Sequence, residues 1–422
     1  MARPMKDSGV QWIGMIPKDW NVSRLGAILA ERNESNDPIK TNVVLSLTND
    51  RGVILYSDKG NQGNKSKEDV TQYKLAYPND IVLNSMNVVI GSVDISPYFG
   101  AVSPVYYMLY PRNENETSVH FFNYIFQTLG FQQSLRGYGN GIMEIRMRIQ
   151  MQKLKTVLLA FPSKPEQEKI VDFLNQKCPV LDAILMKTQE SIDEYKKLKQ
   201  SLVTETVTLG IRGKRPMKNS GIDWIGQIPK EWVVCRIKNV IFPKEKEVFE
   251  SDDVVTCFRD GQVTLRKKRR EEGFTVSFTE HGYHGVDVGD LAIHGMDAFA
   301  GAIGCSECRG KITPVVHVCE TSGDNRYFMY FLRSVAYRNI LMDFSNGIRI
   351  RSSDYRNFAR LGVFPAIVPP LSEQREIADY LDKKCAAIDS LIEKKQQFID
   401  ELTAYKKSLI YEYVTGKREV PA

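Results

Sequence analysis

The sequence predicts an α+β protein written twice: two globular α/β domains joined by two long antiparallel helices packed as a coiled coil, with a pseudo-two-fold internal repeat. Three observations predict this. Residues 5–20, Met-Lys-Asp-Ser-Gly-Val-Gln-Trp-Ile-Gly-Met-Ile-Pro-Lys-Asp-Trp, return in near-identical form as residues 217–232, an offset of 212. A second motif, Pro165-Glu166-Gln167-Glu168-Lys169-Ile170, returns within Leu371-Ser372-Glu373-Gln374-Arg375-Glu376-Ile377 at an offset of 207. Each second motif opens a long charged stretch with apolar residues three and four apart. A period this long indicates duplicated domains, because solenoid repeats run at roughly 20–50 residues.

Length and composition set the bounds. The chain has 422 residues, enough for two or more domains with separate cores. With 42% hydrophobic and 26% charged residues it has an ordinary globular composition. No apolar run approaches the roughly 18 residues of a membrane span, and the first residues lack the apolar core of a signal peptide. Seven scattered cysteines suggest a reducing, cytoplasmic setting. A net charge of +6 and a pI near 8.7 lean mildly towards a polyanionic partner.

The elements follow in order. The first domain spans 1–160. Its Val43-Val44-Leu45, Val53-Ile54-Leu55-Tyr56, Ile81-Val82-Leu83 and Val105-Tyr106-Tyr107-Met108-Leu109-Tyr110 runs are bounded by Gly, Asn, Asp and Pro and predict strands. Residues 120–126, and 326–332 in the second domain (214–367), place apolar side chains at i, i+3 and i+4 and predict helices. The long helical segments are 161–213 and 368–422. From 166 to 209 there is no Gly, and Pro179 predicts an early break or restart. The predicted seam runs through Leu181, Leu185, Thr188, Ile192, Tyr195, Leu198 and Leu202, and again through Ile388, Ile392, Lys395, Ile399, Leu402, Tyr405 and Leu409. A helix of this length would span about 65 Å at about 1.5 Å per residue.

Inside the globular domains the repeat persists only in places. Asp80, Met86, Gly91, Gly100 and Pro104 match Asp290, Met296, Gly301, Gly310 and Pro314 at an offset of 210, and Tyr73 matches Tyr283. Between them the residues differ: Asn84-Ser85-Met86-Asn87 stands against His294-Gly295-Met296-Asp297. The pattern predicts one scaffold with two surfaces.

Catalytic signatures are missing. Gly210-Ile211-Arg212-Gly213-Lys214-Arg215 lacks the spacing of a phosphate-binding loop and its Ser/Thr after Lys. No dinucleotide fingerprint, no Ser/His/Asp pattern and no Asn/Asp-Pro-Pro-aromatic motif of amino-methyltransferases is present. Cys305-Ser306-Glu307-Cys308, followed by His317 and Cys319, has zinc-like spacing, yet Ile95 and Tyr98 occupy the matching positions in the first copy. The cysteines therefore read as packing thiols, with no metal expected.

Basic and amide residues gather on the turns. In the first copy they are Arg51, Asn84, Ser85, Asn87, and Asn140-Gly141-Ile142 with Arg146 and Arg148. In the second they are Arg259, the run Arg266-Lys267-Lys268-Arg269-Arg270, His294, Asp297, and Asn346-Gly347-Ile348-Arg349 with Arg351. Arg reads guanine and Asn reads adenine by paired hydrogen bonds in the major groove, while Lys and Arg neutralise phosphates. For any one of these residues, base contact, phosphate contact and a solvated turn remain open.

The Trp-Ile-Gly-x-Ile-Pro-x-x-Trp motif opening each half resembles the DNA-specificity subunits of type I restriction–modification systems. So does Pro369-Pro370-Leu371-Ser372-Glu373-Gln374-Arg375-Glu376-Ile377-Ala378, whose first copy is eroded to Phe161-Pro162-Ser163-Lys164-Pro165-Glu166-Gln167-Glu168-Lys169-Ile170. The resemblance spans essentially the whole chain. It implies two target-recognition domains, each reading half of a split double-stranded DNA site, and helices that set the spacer. It also implies two methyltransferase (modification) subunits as partners and, through them, restriction/translocase subunits. S-adenosylmethionine, ATP and Mg would then sit on partner subunits, with no cofactor and no catalytic residue in this chain. The competing expectations are a stand-alone DNA methyltransferase or nuclease, and a scaffold that binds no DNA.

Overall fold

The computed structural model describes residues 3–48, 51–60, 69–139, 148–269, 280–343 and 355–421. The chain divides into two compact units. The first combines Met1–Thr188 with Gln397–Ala422, and the second is Gln189–Gln396. Each unit thus holds one globular region, part of the first long helix (Lys164–Leu209) and part of the second (Leu371–Val414).

In the first unit a four-stranded antiparallel sheet has the order Leu29–Arg32, Tyr106–Pro111, Ile81–Asn84, Val93–Ile95. Its central strands are continuous apolar runs because both faces are buried. Ile81 and Leu83 face one core, with Leu109 and the helix Val119–Gln127. Val82 and Met108 face another, with Leu45, Leu47 and Val53 of the hairpin Leu45–Thr48/Gly52–Leu55. The predicted strands fall within one residue of these, except that the 43–45 run meets Leu45–Thr48 only at Leu45, and Tyr56 starts a short 3-10 turn instead. The predicted helices are Val119–Gln127 and Asn325–Tyr337.

The second unit repeats the order strand for strand: Ile241–Pro243, Val316–Thr321, Leu291–His294, Ile303–Cys305. Leu291 and Ile293 join the core under Asn325–Tyr337, and Ala292 joins the core beneath the hairpin Val255–Cys257/Val263–Leu265.

Within each unit the two helix segments run antiparallel. In the first, Phe173 meets Tyr413 at 4.5 Å between ring centroids, and Lys406 pairs with Asp182. In the second, Lys395 lies over the Tyr195 ring, and Lys199 pairs with Asp389. The lysine pairs correspond to each other at the repeat offset of 207.

Three expectations about the helices are corrected or refined. The first helix runs unbroken through Pro179. Pro179 is exposed, as is Asn175, whose carbonyl loses its helical donor, so water can reach that group. The seam holds at Leu181, Leu185, Ile192, Leu202, Ile388, Ile392, Ile399, Leu402 and Leu409, all buried or half-buried. It excludes Leu198, which is 54% exposed, and Tyr405, 51% exposed. The strict four–three alternation passes through Lys199 and Lys406 instead, whose stems lie in the seam and whose ammonium groups pair across it. Both helices end on a left-handed glycine, Gly210 (φ 77°) and Gly416 (φ 69°). A side chain there would collide with Arg215 beside Trp232 in one unit, and with Pro17 beside Trp20 in the other.

Candidate nucleic-acid interface

The repeated motifs turn out to be each unit's internal fastening. Glu166, near the start of the first helix, accepts from the Trp20 indole at 3.2 Å and pairs with Arg3, which also pairs with Asp19. Glu373 accepts from Trp232 at 3.0 Å and pairs with Arg215, which also pairs with Glu231. The neighbouring Gln167 amide donates to the carbonyls of Glu116 and Pro162 and accepts from Ser118 N–H. Gln374 donates to Pro369 and accepts from Asp324 N–H. These residues hold each globular region on its helix and leave the far turns to vary.

The varying turns share one backbone. Asn87 (φ −125°, ψ 9°) and Asp297 (φ −112°, ψ 6°) each precede a short 3-10 turn, Val88–Ile90 or Ala298–Ala300, that ends on left-handed Gly91 or Gly301. Asn84 Oδ1 accepts from Met86 N–H at 3.0 Å. His294 Nδ1 accepts from the N–H groups of Met296 and Asp297, at 3.2 and 3.1 Å. Two different side chains thus perform the same turn-closing task. His294 must be unprotonated on Nδ1 to do so, and burial pushes its pKa below the usual imidazole value.

Ser85 is withdrawn from the DNA-contact candidates. It is fully buried, and its hydroxyl donates to Val105 O at 2.7 Å. Its carbonyl accepts from Ile149 N–H at 2.9 Å, and Tyr107 OH donates to Ile149 O at 3.1 Å. The second unit repeats this clamp: Tyr355 N–H donates to Gly295 O at 2.8 Å, and His317 Nε2 lies 2.7 Å from Tyr355 O. Each clamp ties the turn to a residue further along the chain, Ile149 or Tyr355. Exposed Arg148 is thereby brought beside the 84–87 turn. Asn140, Gly141, Ile142, Arg146, Arg270, Asn346, Gly347, Ile348, Arg349 and Arg351 lie outside the described residues.

The remaining candidates divide by environment. Exposed Arg51 donates to Asp58 O at 3.0 Å, in the short 3-10 turn that follows its hairpin. In the second unit Arg259, 67% exposed, pairs with Asp297 at 3.0 Å, Lys267 with Asp253 at 2.5 Å, and Arg269 with Asp260 at 2.8 Å. Lys268 is exposed. The Arg269 guanidinium also covers the Phe258 ring at 4.3 Å. Beside these residues opens a cavity of about 850 Å³ lined by Phe258, Arg259, Arg266, Tyr283, His294 and Met296, among others. Tyr283 was not among the contact candidates; its register match with Tyr73 is the signal that marks it.

Among the described residues no group of three or more His, Cys, Asp or Glu could hold a metal ion. Cys305, Cys308 and Cys319 are free thiols, and burial pushes Cys305 up to about 12. The turn between Cys305 and Cys308 is closed by Ser306 Oγ donating to Cys308 O, as Ser96 does to Tyr98 O.

The chain is thus two copies of one α+β module, fastened alike and differing at equivalent turns. The comparisons agree. The family model described as the type I restriction modification DNA specificity domain matches residues 17–193. The putative type I restriction enzyme MjaX specificity subunit of Methanocaldococcus jannaschii is 24% identical over 97% of this chain and 96% of its own length. The MjaVIII specificity subunit of the same organism is 22% identical over 70% of each chain. A chain from a solved structure on complex assembly and conformational transition of the type I R-M system shares the fold, with a TM-score of 0.67, 14% identity, and coverage of 96% and 99%. Residues 17–193 thus match a type I DNA specificity domain, and over nearly its whole length the chain is similar to type I restriction enzyme specificity subunits.

Proposed function

We propose that this chain gives a type I restriction–modification complex its DNA specificity, each unit reading one half of a bipartite target. One observation carries the reading: the two units share the Trp–Glu bond, the Gln amide bonds and the turn closure of their frames, and differ in the side chains at equivalent turns. A protein that binds two identical half-sites has no use for that difference. The chain itself carries no chemistry in this reading. It places two methyltransferase subunits, and restriction subunits with them, on the duplex, and S-adenosylmethionine, ATP and Mg belong to those partners. Among the described residues no helix is long and apolar enough to cross a membrane.

The test is an exchange. Replacing residues 214–367 with the matching region of another specificity subunit is expected to change one half-site and leave the other intact. A change in both half-sites would sink the modular reading. Binding to duplex DNA is expected to weaken steeply with salt, by about 0.9 log units per log unit of salt for each phosphate neutralised. Methyl transfer by the purified chain alone would overturn the non-catalytic assignment.

A further inference from the structure

The matched turns permit a more specific statement about which base pairs each unit reads; it rests on the DNA-specificity function proposed above. We infer that Asp297 with Arg259 selects a G·C pair in the half-site of the second unit, and that Asn87 selects an A·T pair at the corresponding place in the half-site of the first.

The argument begins with the backbone. Residues 87 and 297 have nearly the same φ and ψ, and the carbonyl of each accepts two N–H groups: Ile90 and Ser92 for Asn87, Ala300 and Ala302 for Asp297. Each is followed by a left-handed glycine, and each side chain therefore leaves an equivalent point on the same turn. Both are half-buried and sit next to an exposed methionine, Met86 or Met296, which the two copies share. The turns present a common apolar tip and a different polar group beside it.

The polar groups recognise different edges. An Asn amide carries a donor and an acceptor, which match N7 and N6 of adenine in the major groove. A carboxylate only accepts, so it can take the N4 amino protons of cytosine and has no donor for adenine N7. An isolated carboxylate facing duplex DNA is also repelled by the phosphates. Arg259 removes that objection, its guanidinium lying 3.0 Å from Asp297 Oδ1 while remaining 67% exposed. The exposed remainder of the fork can donate to O6 and N7 of guanine. Both members of the pair therefore favour G·C by independent chemistry. The imidazole of His294 holds the Asp297 N–H and fixes the root of the carboxylate.

The full-length chain, incubated with a randomised duplex library and sequenced after capture, tests this with three variants. Wild type is expected to enrich two half-sites separated by a fixed gap. Asp297→Asn is expected to move one base pair of one half-site from C·G towards A·T. Asn87→Asp is expected to make the opposite change in the other half-site. Arg259→Ala is expected to reduce the G·C enrichment at that same base pair by roughly ten-fold or more. In each variant the untouched half-site reports that the chain is folded and bound. A bipartite motif unchanged by all three substitutions would overturn this inference and leave the proposed function standing. Absence of any enriched motif with the wild-type chain would overturn both.

Discussion

Trp232 donates its indole N–H to Glu373, 141 residues further along the chain, at 3.0 Å. The equivalent Trp20 does the same to Glu166. The two best-kept motifs of each copy are thus the two halves of one contact, which accounts for their retention without any role in the target. The copies differ in burial. Glu373 is fully buried beneath the largely buried Arg215, whereas the Glu166 side chain is 25% exposed. Glu373→Ala leaves the buried Trp232 indole N–H without its acceptor and Arg215 with only Glu231 and the Leu209 carbonyl, and is expected to cost about 2–3 kcal/mol. Glu166→Ala leaves Arg3 with water and Asp19 and is expected to cost about 1 kcal/mol. Denaturant unfolding followed by tryptophan fluorescence measures both, and equal losses would contradict the assigned asymmetry.

Acid is expected to loosen the second unit first. Burial lowers the pKa of His294 and of His317 from the ordinary 6.5. His294 faces Asp297 and Arg259, and His317 faces the Phe358 ring, Tyr355 O and His284. As pH falls below about 6.5 the unfolded chain takes up protons that the folded imidazoles resist, so stability is full above that value and is lost on the way down through the folded pKa. The matching positions of the first unit hold Asn84 and Tyr107, neither of them an imidazole. Amide protection in residues 291–321, corrected for intrinsic exchange, should therefore fall as pH drops below about 6.5, with that of residues 81–111 little changed. His294→Asn with His317→Tyr, which installs the first unit's own residues, is expected to remove the difference.

Sequence periodicity located the strands, the two amphipathic helices and the long helices because those depend on neighbours a few residues away. The Ile81-Val82-Leu83 run and the 120–126 spacing are of this kind. What periodicity could not reveal depends on remote partners. Ser85 looks like an exposed polar turn residue until Val105 and Ile149 close over it. Pro179 looks like a helix end until the packing on either side is counted. Arg259 and Asp297 are 38 residues apart and form a pair only because the 255–265 hairpin lies beside the 294–297 turn.

Pro179 offers a direct gain. It removes one helical hydrogen bond, the one to Asn175 O, from a helix that continues on both sides. The corresponding residue of the second long helix is Ala386. Pro179→Ala restores the donor and is expected to stabilise the first unit by up to about 3 kcal/mol. Calorimetric melting reads this as a higher transition temperature. A lower one would mean that the surrounding packing has adapted to the proline ring.

The seam assignment makes opposite forecasts for two neighbouring apolar residues. Ile192 is 1% exposed and Leu198 is 54% exposed, although both fit a loose apolar stripe. Truncating a buried isoleucine loses its transfer free energy and leaves a cavity, so Ile192→Ala is expected to cost about 2–5 kcal/mol. Leu198→Ala removes little buried surface and should stay within about 0.5 kcal/mol. The residue that occupies the seam beside Leu198 is Lys199, which reaches Asp389 at 2.6 Å. Its ion pair is half in solvent and is expected to contribute under about 1 kcal/mol in a double-mutant cycle. The apolar stem is a separate contribution, so Lys199→Met should keep the packing and lose only the pair. If Lys199→Met costs as much as Ile192→Ala, the ammonium rather than the stem holds that turn of the helix pair together.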